Sequence, residues 1–217
     1  GATMSPQVAH RLLAAASTHG LTIVEDDIFA DFEASPSPRL AVLDGLDRVI
    51  RIGSFSKTLS ASVRCGYIAA RADWIAGLID LQVATSFGGP SPVATELIAG
   101  VLAGGGYRRH MDQVRHRLTD ARQTAADRLK PLGILPWLMP RGGFYLWCRL
   151  PEGIDSADLA RRCLEHQVIL APGDVFSVAR TASSFTRFNV AQMANPRVYA
   201  VLQQAMAALL HEVSQQA

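Results

Sequence analysis

"IRIGSFSKTLSASVRCGY", residues 50–67, holds one of only two lysines in the chain, against nineteen arginines. Lys57 stands just past an apolar run that reads as a buried strand, in a turn rich in serine. In α/β folds the carboxyl ends of strands open onto a crevice, and ligands bind there. Burial at such a place disfavours the ammonium form and leaves a neutral amine able to attack a carbonyl. Arginine cannot take that role, because it keeps its proton in proteins. On residue type alone, a solvated surface lysine is the commoner case. The neighbours shift the balance. Ser54 and Ser56 flank the lysine and Arg64 follows seven residues on, so two hydroxyls and a guanidinium can converge on a phosphate dianion.

Working outward, 217 residues with 49% hydrophobic and 18% charged describe a globular chain able to bury a real core. A net charge of +2, with the arginines scattered, excludes a DNA-binding stripe and gives no reason to expect a membrane partner. Cys65, Cys148 and Cys163 lie far apart without CxxC spacing, which argues against a disulfide framework or a metal site and fits a reducing cytoplasm. The first residues carry no signal pattern, and charge interrupts the longest apolar segments.

Ser5 and Pro6 mark the start of a helix that closes at Gly20. "LTIVEDD" (21–27) and "DRVIRIGSFS" (47–56) read as strands, and "RCGYIAA" (64–70) as a third. Two helical stretches follow, separated by "FGGP" (87–90). The longest helical stretch begins near Tyr107, with Val114, Leu118, Ala121, Ala125 and Leu129 on one stripe. Beyond it, "GGFYLWCRL", a helix near 156–166, "VILAPG", "FTRFNVA" and a last helix from about Pro196 have an α+β texture. The spacing thus predicts an α/β unit over 1–106 and a smaller α+β unit over 107–217, the long helix included, with "GGG" at 104–106 as the change of direction. In "SFTRFNV", alternation puts Phe185, Arg187 and Asn189 on one face and Thr186, Phe188 and Val190 on the other.

An amine nucleophile, a phosphate clamp and an acid at a neighbouring strand end together describe a site for pyridoxal 5′-phosphate. Each element alone is weak. The resemblance that joins them is specific: "SFSKTLSASVRCGY" resembles the cofactor-lysine signature of class I/II aminotransferases, the fold type I pyridoxal-phosphate enzymes. "VEDDIFADF", "PRGGFYLWCRLPEG", "APGDVF" and "FTRFNVA" resemble further segments of that family in the family's order. The resemblance implies the C-terminal part of the large cofactor-binding domain, with a mostly parallel sheet, followed by the small domain. It implies Lys57 as the Schiff-base lysine and proton carrier, and Asp26, rather than the adjacent Asp27, as the partner of the pyridinium nitrogen. It implies Ser54, Ser56 and Arg64 as the phosphate ligands, and Arg187 as the holder of a substrate α-carboxylate.

Two departures from the family stand out. Phe29 occupies the position of its usual tyrosine and has no hydroxyl to offer the cofactor's O3′. The chain opens with "GATMSPQ", where the family carries an Asn-Pro-x-Gly turn, so the upstream half of the large domain is expected to be absent and this stretch alone to be inactive. Three functions follow from the resemblance: amino-group transfer between an amino acid and a 2-oxo acid, effector sensing in a GntR/MocR-type transcription regulator, and elimination or decarboxylation on the same scaffold. DNA would be bound only through an N-terminal domain. A homodimer is implied, with "TSFGGPSP" (85–92) resembling the loop that reaches a partner.

Overall fold

Ser5 caps the first helix as expected. In the computed structural model, which describes residues 1–86 and 88–216, its hydroxyl accepts from the Val8 amide at 3.3 Å and Pro6 opens α1 (Pro6–Thr18). The chain turns at Gly20 with φ 63°. Strands β1 (Ile23–Asp26) and β2 (Val49–Ser54) run parallel, with Ile23 opposite Val49 and Asp26 opposite Ile52. Their connection contains α2 (Leu40–Asp44), and Ala9, Leu40, Ala41 and Val49 form a small core. Strand β3 (Gly66–Ala69) pairs antiparallel with β2, so the sheet order is β1-β2-β3 with one pairing of each kind. This departs from the mostly parallel expectation because residues 55–65 return directly, without the crossover helix that a parallel neighbour needs.

Helices α3 (Ala72–Ser86), α4 (Pro92–Ala103) and α5 (Gly106–Leu129) follow. Ile79, Leu81, Val83, Val93 and Leu97 on the first two stay more than half exposed. Phe87, within the stretch 85–92, lies outside the described residues. The expected boundary near residue 106 coincides with the start of α5. The two compact units part further along that helix: residues 3–115 form one, and residues 116–217 with Gly1 and Ala2 form the other.

In the second unit a four-stranded antiparallel sheet runs in the order β4 (Leu135–Pro136), β5 (Tyr145–Arg149), β7 (Phe185–Asn189), β6 (Ala171–Pro172). Two further helices are α6 (Ser156–Glu165) and α7 (Pro196–Gln216). Asp155 caps α6 by accepting the Ala157 and Asp158 amides at 2.8 and 3.2 Å. The period of two in β5 and β7 buries Leu146, Cys148, Thr186 and Phe188 on one face. Leu146, Cys148 and Phe188 join Leu159 and Cys163 of α6 and Leu202 and Met206 of α7 in the main core. Each large side chain buried there is worth roughly 1.5–3 kcal/mol. Burial pushes the Cys148 thiol up to about 12 and that of Cys163 to about 11, so neither is a reactive thiolate. Ala125 and Leu129 of the α5 stripe are buried, and so is Arg122, which donates to the Gly143 carbonyl at 2.6 Å and to the Thr119 hydroxyl at 3.0 Å.

Candidate functional site

Strand β2 ends at Ser54, and the chain loops out before returning at Gly66. Ser54 Oγ accepts from the Ser56 amide at 3.1 Å and donates to the Cys65 carbonyl at 3.4 Å. The Phe55 amide donates to the same carbonyl at 3.0 Å, so the two stems of the loop are tied together. Inside the loop the Leu59 and Ser60 amides both turn back to the Phe55 carbonyl, at 2.9 and 3.3 Å. Arg64 closes it in the left-handed region, φ 45° and ψ 40°. A side chain held there costs about 1 kcal/mol or more, which the surrounding bonds must offset.

The result is a cleft of about 390 Å³, lined by Ser54, Ser56, Lys57 and Arg64 together with Ile28, Cys65 and Gly66. Four of the residues named from the sequence therefore share one cleft. Lys57 is exposed there. Its expected burial at a strand end does not occur, because β2 stops three residues earlier and the lysine rides on the loop.

Helix α5 grips this region by contacts that no sequence signal marked. His110 Nε2 lies 2.7 Å from the Thr58 carbonyl; a carbonyl only accepts, so Nε2 carries the hydrogen. Tyr107 donates its hydroxyl to the Asp31 carboxylate, and burial followed by that carboxylate pushes the phenol above its usual value. Arg115 Nε donates to the Asp31 carbonyl at 2.8 Å. Each partner is at least 52 residues away in sequence, beyond the reach of any local pattern.

The three acids that end β1 are sorted by the pleat. Glu25 accepts the Leu40 and Ala41 amides at 2.8 and 3.0 Å, capping the N-terminus of α2. Asp27, with its side chain 9% exposed, pairs with Arg39 at 2.9 Å and Arg51 at 2.7 Å. Burial raises its carboxyl above the ordinary 3.8, against the pull of both guanidiniums. Asp26 faces the other way: it is exposed and accepts the Ile28 amide at 3.3 Å. Phe29 is also exposed, its ring 6.1 Å from that of Phe32. Neither Asp26 nor Phe29 lines the cleft, whereas Ile28 between them does.

Arg39 links Asp27 to Glu33, which it meets at 3.2 Å. Glu33 also accepts from the Ser37 hydroxyl at 2.6 Å and the Ser37 amide at 3.0 Å. Burial opposes its charge, yet these bonds prevail and hold the carboxyl below the ordinary 4.5. A group depressed in the folded state adds stability above its unfolded value and loses it as the pH falls through the folded one. Glu33→Gln should therefore cost about 0.5–1 kcal/mol near neutrality, and the gap to wild type should close as the pH drops below 4.5. Urea unfolding at neutral and acid pH checks this; a gap independent of pH would sink it.

Arg187 belongs to the other unit. Its guanidinium carbon lies 4.1 Å from the Tyr145 ring centroid and 4.4 Å from that of Phe176. Phe185, Arg187 and Asn189 are half-buried on one face of β7, and Thr186 and Phe188 are buried on the other, with Val190 buried just beyond the strand. Among the described residues no cluster of His, Cys, Asp or Glu could hold a metal ion, and no helix is long and apolar enough to cross a membrane.

Comparison with solved structures finds this architecture in aminotransferases. The kynurenine aminotransferase of Pyrococcus horikoshii superposes with a TM-score of 0.85 at 25% identity, covering 98% of this chain and 53% of that one. LysN, the α-aminoadipate aminotransferase of Thermus thermophilus, solved with N-(5′-phosphopyridoxyl)-L-leucine, gives 0.84 at 25% identity, covering 97% and 56%. Among curated proteins, the helix-turn-helix transcriptional regulator YdcR of Escherichia coli is 31% identical over 198 residues, 88% of this chain and 41% of its own length. The regulator NorG of Staphylococcus aureus is 29% identical over 180 residues, 81% of this chain and 40% of its own length. The chain thus spans about two fifths of these curated relatives and just over half of the solved structures. The profile described as "Aminotransferase class I and II" matches residues 1–204. With nearly every residue inside that match, the chain belongs to the class I and II aminotransferase family.

Proposed function

We propose that the protein binds pyridoxal 5′-phosphate at Lys57 and moves an amino group between an amino acid and a 2-oxo acid, as a cytoplasmic homodimer. The observation that carries this reading is the cleft beyond β2, where one amine, two hydroxyls and a guanidinium face a common space. These donors fit the cofactor. Ser54, Ser56 and Arg64 match a phosphate dianion, and Asp26, exposed at the end of β1, is free to pair with a ring nitrogen. Phe29 adds ring packing but no donor. Bound there, pyridoxal phosphate supplies an electron sink for charge that develops at a substrate Cα. Lys57 would hold the cofactor through Nζ, and once the substrate's amine has displaced it, the freed Lys57 amine would take the proton from Cα. Arg187 holds the α-carboxylate through paired N–H donors.

A second reading is favoured by the curated relatives, whose names describe helix-turn-helix regulators. In it the same site senses an amino acid, and DNA binding belongs to a separate N-terminal domain of the GntR/MocR type. Both readings need Lys57. Borohydride reduction of the full-length protein with pyridoxal phosphate, followed by peptide mapping, should label Lys57 and leave Lys130, which lies at the end of α5. A label on Lys130 with none on Lys57 overturns the proposal. Gel shift on promoter DNA, with and without amino acids, then separates enzyme from regulator.

A further inference from the structure

Arg187 differs in its company from the half-buried arginines that pair with acids, and from Arg122, which spends its donors on the Gly143 carbonyl and the Thr119 hydroxyl. Arg39 and Arg51 pair with Asp27, and Arg115 with Asp112. Among the described residues the Arg187 guanidinium has no carboxylate partner; it lies over two aromatic rings, Tyr145 at 4.1 Å and Phe176 at 4.4 Å. Both distances are well inside the range of cation–π attraction. The rings are themselves held. Tyr145 sits on β5, whose next outward residue, Trp147, is opposite Arg187 in the register. Trp147 meets Phe176 edge-on at 5.7 Å and stacks on Phe185 at 5.4 Å with planes 5° apart.

A guanidinium carries its N–H donors along its edge, and contact with an aromatic ring does not commit that edge to a carboxylate. An ion pair would occupy that edge. The aromatic contacts therefore restrict a long, flexible side chain without using the hydrogen bonds that a ligand would need, and such preorganisation strengthens binding.

We propose that Tyr145 and Phe176 are positioning residues that hold the Arg187 fork ready for a ligand carboxylate. The proposal rests on the reading of Arg187 as the carboxylate-binding residue. Neither ring needs to touch the ligand: they act through the arginine. Tyrosine and phenylalanine serve equally here, because the ring and not the hydroxyl makes the contact.

The test uses full-length protein loaded with pyridoxal phosphate and two readouts. The first needs no amino acid: the NMR resonance of the Arg187 Nε–H should be displaced by the ring currents in wild type and move toward the position of a free arginine in Tyr145→Leu and Phe176→Leu. The second is a titration of cofactor absorbance with L-leucine, L-glutamate and L-phenylalanine, each compared with the amine that lacks its carboxylate. Either leucine variant should weaken the amino acids roughly three- to tenfold and leave the amines alone, which a general packing defect would not do. Tyr145→Phe should recover most of what Tyr145→Leu loses. An undisplaced resonance in wild type, or amino-acid affinity unchanged in the leucine variants while Arg187→Ala abolishes it, overturns the positioning role and spares the carboxylate reading. Unchanged affinity in Arg187→Ala, or no preference of wild type for the acids over the amines, overturns that reading and the positioning role with it.

Discussion

Gly173→Ala is expected to destabilise the unit formed by residues 116–217 by about 3–5 kcal/mol, a large part of the 5–15 kcal/mol that holds a typical domain together. A Cβ built on Gly173 would stand 2.0 Å from the Ala182 carbonyl oxygen and 2.7 Å from that of Phe185. Both obstacles are backbone, so no rotamer change relieves them. The Gly173 amide also donates to the buried Ser156 hydroxyl at 3.2 Å, and any shift that cleared the methyl group would stretch that bond. A 2.0 Å approach is a question of space, unlike the left-handed turn at Gly20, where conformation decides. Circular dichroism should show the melting temperature falling by more than about 10 °C. A variant that melts within a degree or two of wild type would mean that the 173–185 segment is far looser than described.

Phe188→Ala should cost a similar amount, about 3–5 kcal/mol, for the opposite reason. Phe188 is 2% exposed, lies opposite Leu146 across the β5–β7 pair, and belongs to the core that α6 and α7 close. Truncation loses its transfer free energy and leaves a cavity that close-packed neighbours fill poorly. Phe188→Leu keeps most of the volume and should recover most of the loss. Chemical denaturation with a shared m-value reads both variants. Equal stabilities for the alanine and leucine variants would show that the packing of this ring is not what matters.

Parts of this fold were legible because the relevant physics is local. Ser5 followed by Pro6 specifies a capped helix start by itself, and the alternation in "FTRFN" sorts Phe188 from Arg187 without reference to any other segment. The same alternation separated Asp26 from Asp27. What the sequence hid depends on distant partners. Arg122 falls on the apolar stripe of α5 and is accepted there because the Gly143 carbonyl and the Thr119 hydroxyl satisfy it. His110 and Tyr107 read as ordinary polar residues of a long helix until the Thr58 carbonyl and Asp31 are brought beside them. The reversal of β3 was hidden for another reason: a strand's direction is set by how its connection closes, and residues 55–65, though rich in serine, have no Gly, Pro, Asn or Asp to mark a tight return. The exposure of Lys57 follows from the same loop, since apolar content located the strand but not its last residue.

The end of β1 can also be seen as a matter of net charge at one point in space. Three consecutive acids would present three negative charges to whatever binds beyond the strand. Glu25 is hydrogen-bonded by the amides that open α2, and Asp27 is paired with two guanidiniums on the same side of the pleat. What remains on the opposite side is a single negative charge, that of Asp26. On the proposed reading, an anion held by Ser54, Ser56 and Arg64 would be opposed by every carboxylate left unpaired nearby, since like charges repel. By holding two of the three acids on the far face, Arg39, Arg51 and the start of α2 leave one carboxylate outside those pairs, the one that on the proposed reading would meet a cationic ring atom.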